Sequence, residues 1–170
     1  MASDGSNIIY NKQFKSMADT YTQLFYHVVF AVRDREALII PAIKEDLYKY
    51  ISGIVSNQKQ KLFIINGMPD HIHILLNCKP DMNLSALVRE IKEHSSKYIN
   101  SKNILKGKFY WQGGFGAFTV SQRNIGVVID YIKNQEEHHK KSAFRTEYSE
   151  LLKKHDVEFK EDYLFTDVLL

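Results

Sequence analysis

The sequence contains a single cysteine, Cys78, among 170 residues. One thiol builds neither a disulfide framework nor a cysteine-based zinc cluster, and such scarcity is what a reducing, cytoplasmic setting leads one to expect. No apolar run approaches the length of about 18 residues that a membrane-spanning helix needs, so no membrane partner is expected. The first residues, MASDGSNIIYNKQFKSMAD, lack the basic-then-apolar plan of a secretory signal. They are expected to form a flexible extension over 1–19, ahead of a single domain over 20–170. A strong excess of one charge is also missing. Lys and Arg number 23 against 20 Asp and Glu, a net +3 that does not by itself argue for a nucleic-acid partner. Internal repeats and low-complexity tracts are absent too.

What is present is an ordinary globular composition, 44% hydrophobic and 25% charged, with ten Tyr and ten Phe. Aromatic faces can stack bases, although most of these rings are expected in the core. Residues 21–32, YTQLFYHVVFAV, are β-branched and aromatic and read as a strand, with Leu24, Val28 and Phe30 on one face. Pro41 opens a helix in which Ile43, Leu47, Tyr50, Ile51 and Ile54 recur at spacings of three and four. Two strands follow over 61–66 and His71–Cys78, joined by Gly67-Met68-Pro69-Asp70, a sequence with turn chemistry. Leu84, Leu87, Val88 and Ile91 mark a second helix reaching Asn100. After a Gly-rich aromatic stretch, residues 115–120 read as a fourth strand. Ser121 is placed to cap a third helix through Ile125, Val128, Ile129 and Ile132, and a short helix is expected over 148–154. The order β-α-β-β-α-β is the ferredoxin-like, RRM-like arrangement of the α+β class: an antiparallel sheet with two helices on one face, extended by a C-terminal tyrosine-bearing helix. The second face of the sheet is then expected to stay available for a site or a partner.

Alternation along Asp70-His71-Ile72-His73-Ile74-Leu75-Leu76 sends Ile72, Ile74 and Leu76 to one face, and His71, His73 and Leu75 to the other. Two imidazoles two residues apart on one strand face can converge on one metal ion. A hard divalent cation such as Mg²⁺ or Mn²⁺ would need oxygen donors in addition. On the third helix Tyr131 and Gln135 stand one turn apart on the flank of the apolar stripe, so a phenol and a carboxamide can reach one small volume. The carboxamide oxygen is a neutral donor for such a cation, and the phenol is a nucleophile once its proton is removed. His138 lies on the same flank. Its ring and that of His139 diverge by about 100° on a helix, which argues against both binding one ion. They read as helix-terminal polar residues, with a proton-relay role for His138 as the alternative.

The segments YTQLFYHVVF, INGMPDHIHILL, FYWQGGFGAFTVS and YIKNQEEHH, in this order, resemble the HUH superfamily, named for its His-hydrophobic-His motif. The likeness is to the single-tyrosine transposases of small bacterial insertion sequences and to their relatives associated with repetitive extragenic palindromes, and it runs from about residue 21 to 163. The resemblance implies that His71, His73 and Gln135 bind Mg²⁺ or Mn²⁺ and that Tyr131 is the nucleophile. It further implies cleavage and strand transfer on single-stranded hairpin DNA through a 5′-phosphotyrosine intermediate with a free 3′-hydroxyl. A homodimer is implied as well, with the tyrosine helix of one subunit able to complete the histidine site of the other. Gly113, Gly114 and Gly126 could supply backbone freedom around that helix. Arg33, Arg35, Lys97, Lys102, Lys106, Lys108, Arg123 and Lys133 are the candidates for phosphate contacts. Three other readings stay open on the sequence: a non-catalytic nucleic-acid-binding module on the same sheet, a phosphodiesterase acting through water, and a domesticated relative that cuts palindromes without mobilising its gene.

Overall fold

The structure is a computed structural model describing residues 21–140, 142–160 and 164. The extension expected over 1–19 lies outside the described residues. Nine principal elements follow one another: β1 Leu24–Ala31, α1 Pro41–Asn57, β2 Lys61–Met68, β3 His71–Cys78, α2 Leu84–Ser101, β4 Gly116–Val120, α3 Ile125–Lys133, α4 Gln135–His139 and α5 Phe144–Lys154. The strands form one antiparallel sheet in the order β2-β3-β1-β4. This is the ferredoxin-like α+β arrangement expected from the sequence. No described helix is long and apolar enough to cross a membrane.

Helices α1 and α2 form where apolar residues repeat at three and four. Pro41 starts α1, and the Asn83 side chain accepts the Ala86 N–H at 3.0 Å to start α2. Their buried stripes (Ile43, Leu47, Ile51 and Val55; Leu87, Val88, Ile91 and Ile99) cover Val28 and Phe30 of β1 and Ile72, Ile74 and Leu76 of β3. Each fully buried Ile or Leu here stabilises the fold by about 1.5–3 kcal/mol. The aromatic stretch before β4 belongs to this core. Trp111 packs edge-on against Phe30 and Phe109, and its indole N–H donates to Ser95 Oγ at 2.9 Å. Lys92 reaches over from α2 to donate to the carbonyls of Gln112, at 2.8 Å, and Gly114. Gly114 itself has φ +75°, a conformation that favours glycine. The double glycine is thus a pinned turn ahead of β4, held by Lys92 and by the φ of Gly114, and a Cβ at Gly126 would meet open space.

The opposite face of the sheet is not free, and here the structure departs from the sequence reading. The odd positions of β1 are apolar apart from His27, and Val29 and Ala31 need cover as much as their neighbours do. Phe144, Tyr148 and Leu152 of α5 supply it together with Phe118 of β4. Helices α3 and α4 lie over β2. There Asn66 donates from Nδ2 to the carbonyls of Ile132 and Lys133 at 3.0 and 3.1 Å, satisfying the C-terminal end of α3. Local differences are smaller. Strand β1 begins at Leu24 rather than at residue 21, β2 runs on through Gly67 and Met68, and the Ser121 side chain makes no cap, because a turn of 3₁₀ helix over 122–124 precedes α3.

Gly67 of β2 lies hard against the backbone of β3. A Cβ there would press on the His71 carbonyl oxygen and stand 2.7 Å from Ile72 Cα, backbone that cannot swing aside. Gly67→Ala is expected to destabilise the chain by about 2–3 kcal/mol, read as a lower urea midpoint at unchanged slope. An unchanged midpoint would contradict the tight β2–β3 approach.

Candidate active site

Strand β3 delivers His71 and His73 to the face covered by α5, and both rings are 0% exposed. The His71 ring stacks on Phe144 with centroids 3.8 Å apart. Its Nδ1 lies 2.7 Å from Asp70 Oδ1, and since a carboxylate only accepts, the ring donates there, which in the neutral imidazole leaves Nε2 as the lone pair. Asp70 is gripped in turn by Arg35, from Nε at 3.2 Å and from the guanidinium terminus at 3.0 Å. Burial alone would raise the Asp70 carboxyl, but the bonds from His71 and Arg35 hold it below the usual range. Burial drives His73 down to about 4, with His71 adding to the effect and Glu147 opposing it, so at neutral pH this imidazole is uncharged.

The tyrosine helix differs from its expected form. A continuous helix was expected to carry both Tyr131 and Gln135, but the chain breaks at Asn134 (φ −97°, ψ 25°), and Gln135 begins the separate helix α4. The break turns Gln135 fully inward. Of the expected stripe on α3, Ile132 alone is fully buried, while Ile125, Val128 and Ile129 are half-buried. Tyr131 stands over its own chain's histidines, with ring centroids 5.9 Å from His73 and 6.0 Å from His27. Tyrosine, carboxamide and histidine pair therefore meet within one subunit.

All of these groups converge on a residue the sequence reading did not single out. Glu147 of α5 is 1% exposed. Its carboxylate accepts hydrogen bonds from the Tyr131 hydroxyl, from Gln135 Nε2 at 3.0 Å and from His139 Nε2 at 2.8 Å. His73 Nε2 and His71 Nε2 stand 3.5 and 3.7 Å from its oxygens, and His138 Nε2 stands 3.7 Å away. His138 and His139 thus reach the same carboxylate despite diverging on their helix, because Glu147 lies between them. Burial would raise Glu147, yet the hydrogen bond from His139, the close approach of the His73 ring and the Tyr131 hydroxyl hold it far below the usual range. Tyr131 is pushed the other way, first by burial and then by the Glu147 charge beside it.

The buried polar atoms left without a hydrogen-bond partner include His71 Nε2, His73 Nε2 and Gln135 Oε1. Lone pairs sealed from water without a donor are costly, and a cation satisfies them together. His71, His73 and Glu147 offer ligand atoms all within 4.8 Å of one another. Two imidazole nitrogens with carboxylate and carboxamide oxygens form a mixed N/O donor set suited to a divalent cation such as Mn²⁺. These residues fit a divalent metal. A cavity of about 240 Å³ opens beside the set, lined by Tyr131 and His27 and by Asn124, Lys154 and His155 among others.

The eight basic candidates scatter. Arg35 is engaged with Asp70, Lys97 pairs with Glu93 at 2.6 Å, and Lys102 lies over the Tyr98 ring. Arg33 covers the Tyr110 ring. Lys106 and Lys108 line a shallow pocket beyond the end of α2, away from the histidines. Arg123 and Lys133 are exposed at the two ends of α3.

Comparison with known proteins finds transposases. A family model described as "Transposase IS200 like" matches residues 20–135. The ISDra2 transposase TnpA of Deinococcus radiodurans is 25% identical over 118 residues, covering 66% of this chain and 84% of that protein. A transposase for insertion sequence element IS200 from Salmonella typhimurium is 28% identical over 131 residues, covering 74% and 86%. Among solved structures, one described as a transposase from Deinococcus radiodurans superposes with a TM-score of 0.55 at 25% identity, over 71% of this chain and 96% of that one. A REP-associated tyrosine transposase bound to a REP hairpin gives 0.56 at 18% identity, over 71% and 72%, and shows the shared fold. Glu147 lies beyond the segment that the family model matches.

Proposed function

Because the chain belongs to the IS200-like transposase family, enzymes that act on DNA, we propose that it cuts and rejoins single-stranded DNA with Tyr131 as its nucleophile. His71, His73, Gln135 and Glu147 would hold Mg²⁺ or Mn²⁺ beside it. The observation that carries this reading is the convergence of the Tyr131 hydroxyl, the Gln135 amide and both histidines on the single buried carboxylate of Glu147.

The steps follow from the residues. Tyr131 oxygen attacks phosphorus as the bond to the departing 3′ oxygen breaks, leaving a 5′-phosphotyrosine and, once that oxygen is protonated, a 3′-hydroxyl. The phenol's proton has an acceptor in place, since its hydroxyl already donates to Glu147. The covalent link keeps the phosphodiester energy, so a 3′-hydroxyl can reverse the attack and expel the phenoxide without ATP. A divalent cation, when bound, polarises the phosphate and offsets the charges of phenoxide and carboxylate. That role is supported by Tyr131, whose phenol burial and Glu147 both hold in the protonated form. Lys154, in the cavity beside Tyr131, is positioned to meet the entering phosphate. Hairpin DNA is the substrate we propose, supported by the REP hairpin bound to the structurally similar transposase.

The test is incubation with hairpin-bearing single-stranded oligonucleotides and Mn²⁺, followed by a denaturing gel. The intact chain is expected to give a covalent adduct that chelation with EDTA prevents. His71→Ala and His73→Ala are each expected to lose it by at least about 10²-fold. Undiminished adduct in either variant would overturn the ligand assignment.

A further inference from the structure

His27 is a buried histidine that the steps above do not use. It comes from β1, where the register sets it opposite Leu75 and therefore diagonal to His73, which faces Val29. It is 3% exposed, and its Nε2 lies 2.9 Å from His73 Nδ1. The two rings are near-parallel, with centroids 5.2 Å apart and planes at 29°, and the His27 ring meets Tyr131 edge-on.

The proton in the His27–His73 bond can sit on either ring, and the surroundings distinguish the two cases. If His27 donates, the His73 proton moves to Nε2, an N–H sealed in the protein with its nearest acceptor, Glu147, at 3.5 Å and no hydrogen bond made. If His73 donates, its Nε2 becomes a bare lone pair facing the same point as the bare Nε2 that Asp70 enforces on His71. The second arrangement gives two matched donors, each fixed through its Nδ1 by a different partner: an anion for His71 and a neutral ring for His73. The geometry points to His27 as the positioning residue of the metal centre, accepting the His73 Nδ1–H through Nε2 and so turning the His73 lone pair toward the cation. A residue in that place sets the tautomer and the angle of a ligand, and its loss typically weakens metal binding about 10–100-fold.

This inference rests on the metal reading above, and its test separates the two. In the intact chain loaded with diamagnetic Mg²⁺, two-bond ¹H–¹⁵N imidazole spectra are expected to show His27 protonated on Nδ1 and bare on Nε2. Titration with Mn²⁺ followed by electron paramagnetic resonance supplies the second arm. His27→Phe fills the space without an acceptor and is expected to bind Mn²⁺ about 10–100-fold more weakly. His27→Gln, whose Oε1 can take the place of Nε2, is expected to stay within about threefold of the intact chain. A proton on His27 Nε2 overturns the inference, as does a folded His27→Phe chain with unchanged affinity; either leaves the metal reading standing. Should His27→Phe not fold, the spectra of the intact chain decide alone. An intact chain that takes up no Mn²⁺ overturns the metal reading and this inference with it.

Discussion

Tyr131→Phe is expected to lower adduct formation on hairpin DNA by at least about 10³-fold while leaving Mn²⁺ uptake and DNA binding close to those of the intact chain. The change removes one oxygen from a half-buried ring whose packing against His27 and His73 is retained by phenylalanine. It also frees one lone pair of Glu147, which still accepts from Gln135 and His139. The outcome discriminates among the chemistries that the sequence left open. A phosphodiesterase working through water would keep cutting without the phenol, and a binding module would never have cut. If the Phe variant still forms the adduct, another residue is the nucleophile.

Glu147→Ala carries the second large expectation, and it has two parts. Without metal, the variant leaves the Tyr131 hydroxyl, the Gln135 amide and the His139 N–H facing a void. Each buried donor without an acceptor costs about 1–3 kcal/mol, partly offset because a charge no longer has to be kept dry, so a net loss of about 2–4 kcal/mol is expected by urea unfolding. With metal, a ligand is missing, and Mn²⁺ affinity should fall by more than the roughly 10–100-fold that loss of a supporting residue costs. Mn²⁺ should therefore raise the melting temperature of the intact chain and not that of the variant. Equal Mn²⁺ stabilisation of both would remove Glu147 from the metal centre and leave it as a proton acceptor for Tyr131.

The parts of this site that were legible in the sequence are those with local signatures. Strict alternation over His71–Cys78 put both histidines on one face, and the spacing of Tyr131 and Gln135 brought them to one side of a helix. Glu147 escaped because the terminal helix was expected to begin at Tyr148, one residue too late. Once Phe144 is included, Phe144, Glu147, Tyr148 and Leu152 repeat at three and four, and a glutamate within an apolar stripe becomes a signal. His27 escaped for a different reason. Alternation assigns it to the face opposite Leu24, Val28 and Phe30, but which β3 residue it meets depends on the β1–β3 register, and that is set by pairing and not by pattern. The break at Asn134 was hidden as well, since neither proline nor glycine marks it. The covering of the second sheet face went unread because it comes from the short helix α5, whose apolar residues reach the sheet only through tertiary packing.

The central claim is that a tyrosine oxygen takes the DNA phosphate at this site. Its most direct test is to digest the covalent adduct formed with Mn²⁺ and a hairpin oligonucleotide, and to map the modified peptide by tandem mass spectrometry. The account predicts a 5′-phosphonucleotide on Tyr131 and an unmodified Tyr148, with a 3′-hydroxyl on the released strand. Modification of a different residue, or metal-dependent cleavage that leaves a free 5′-phosphate and no adduct, would contradict it.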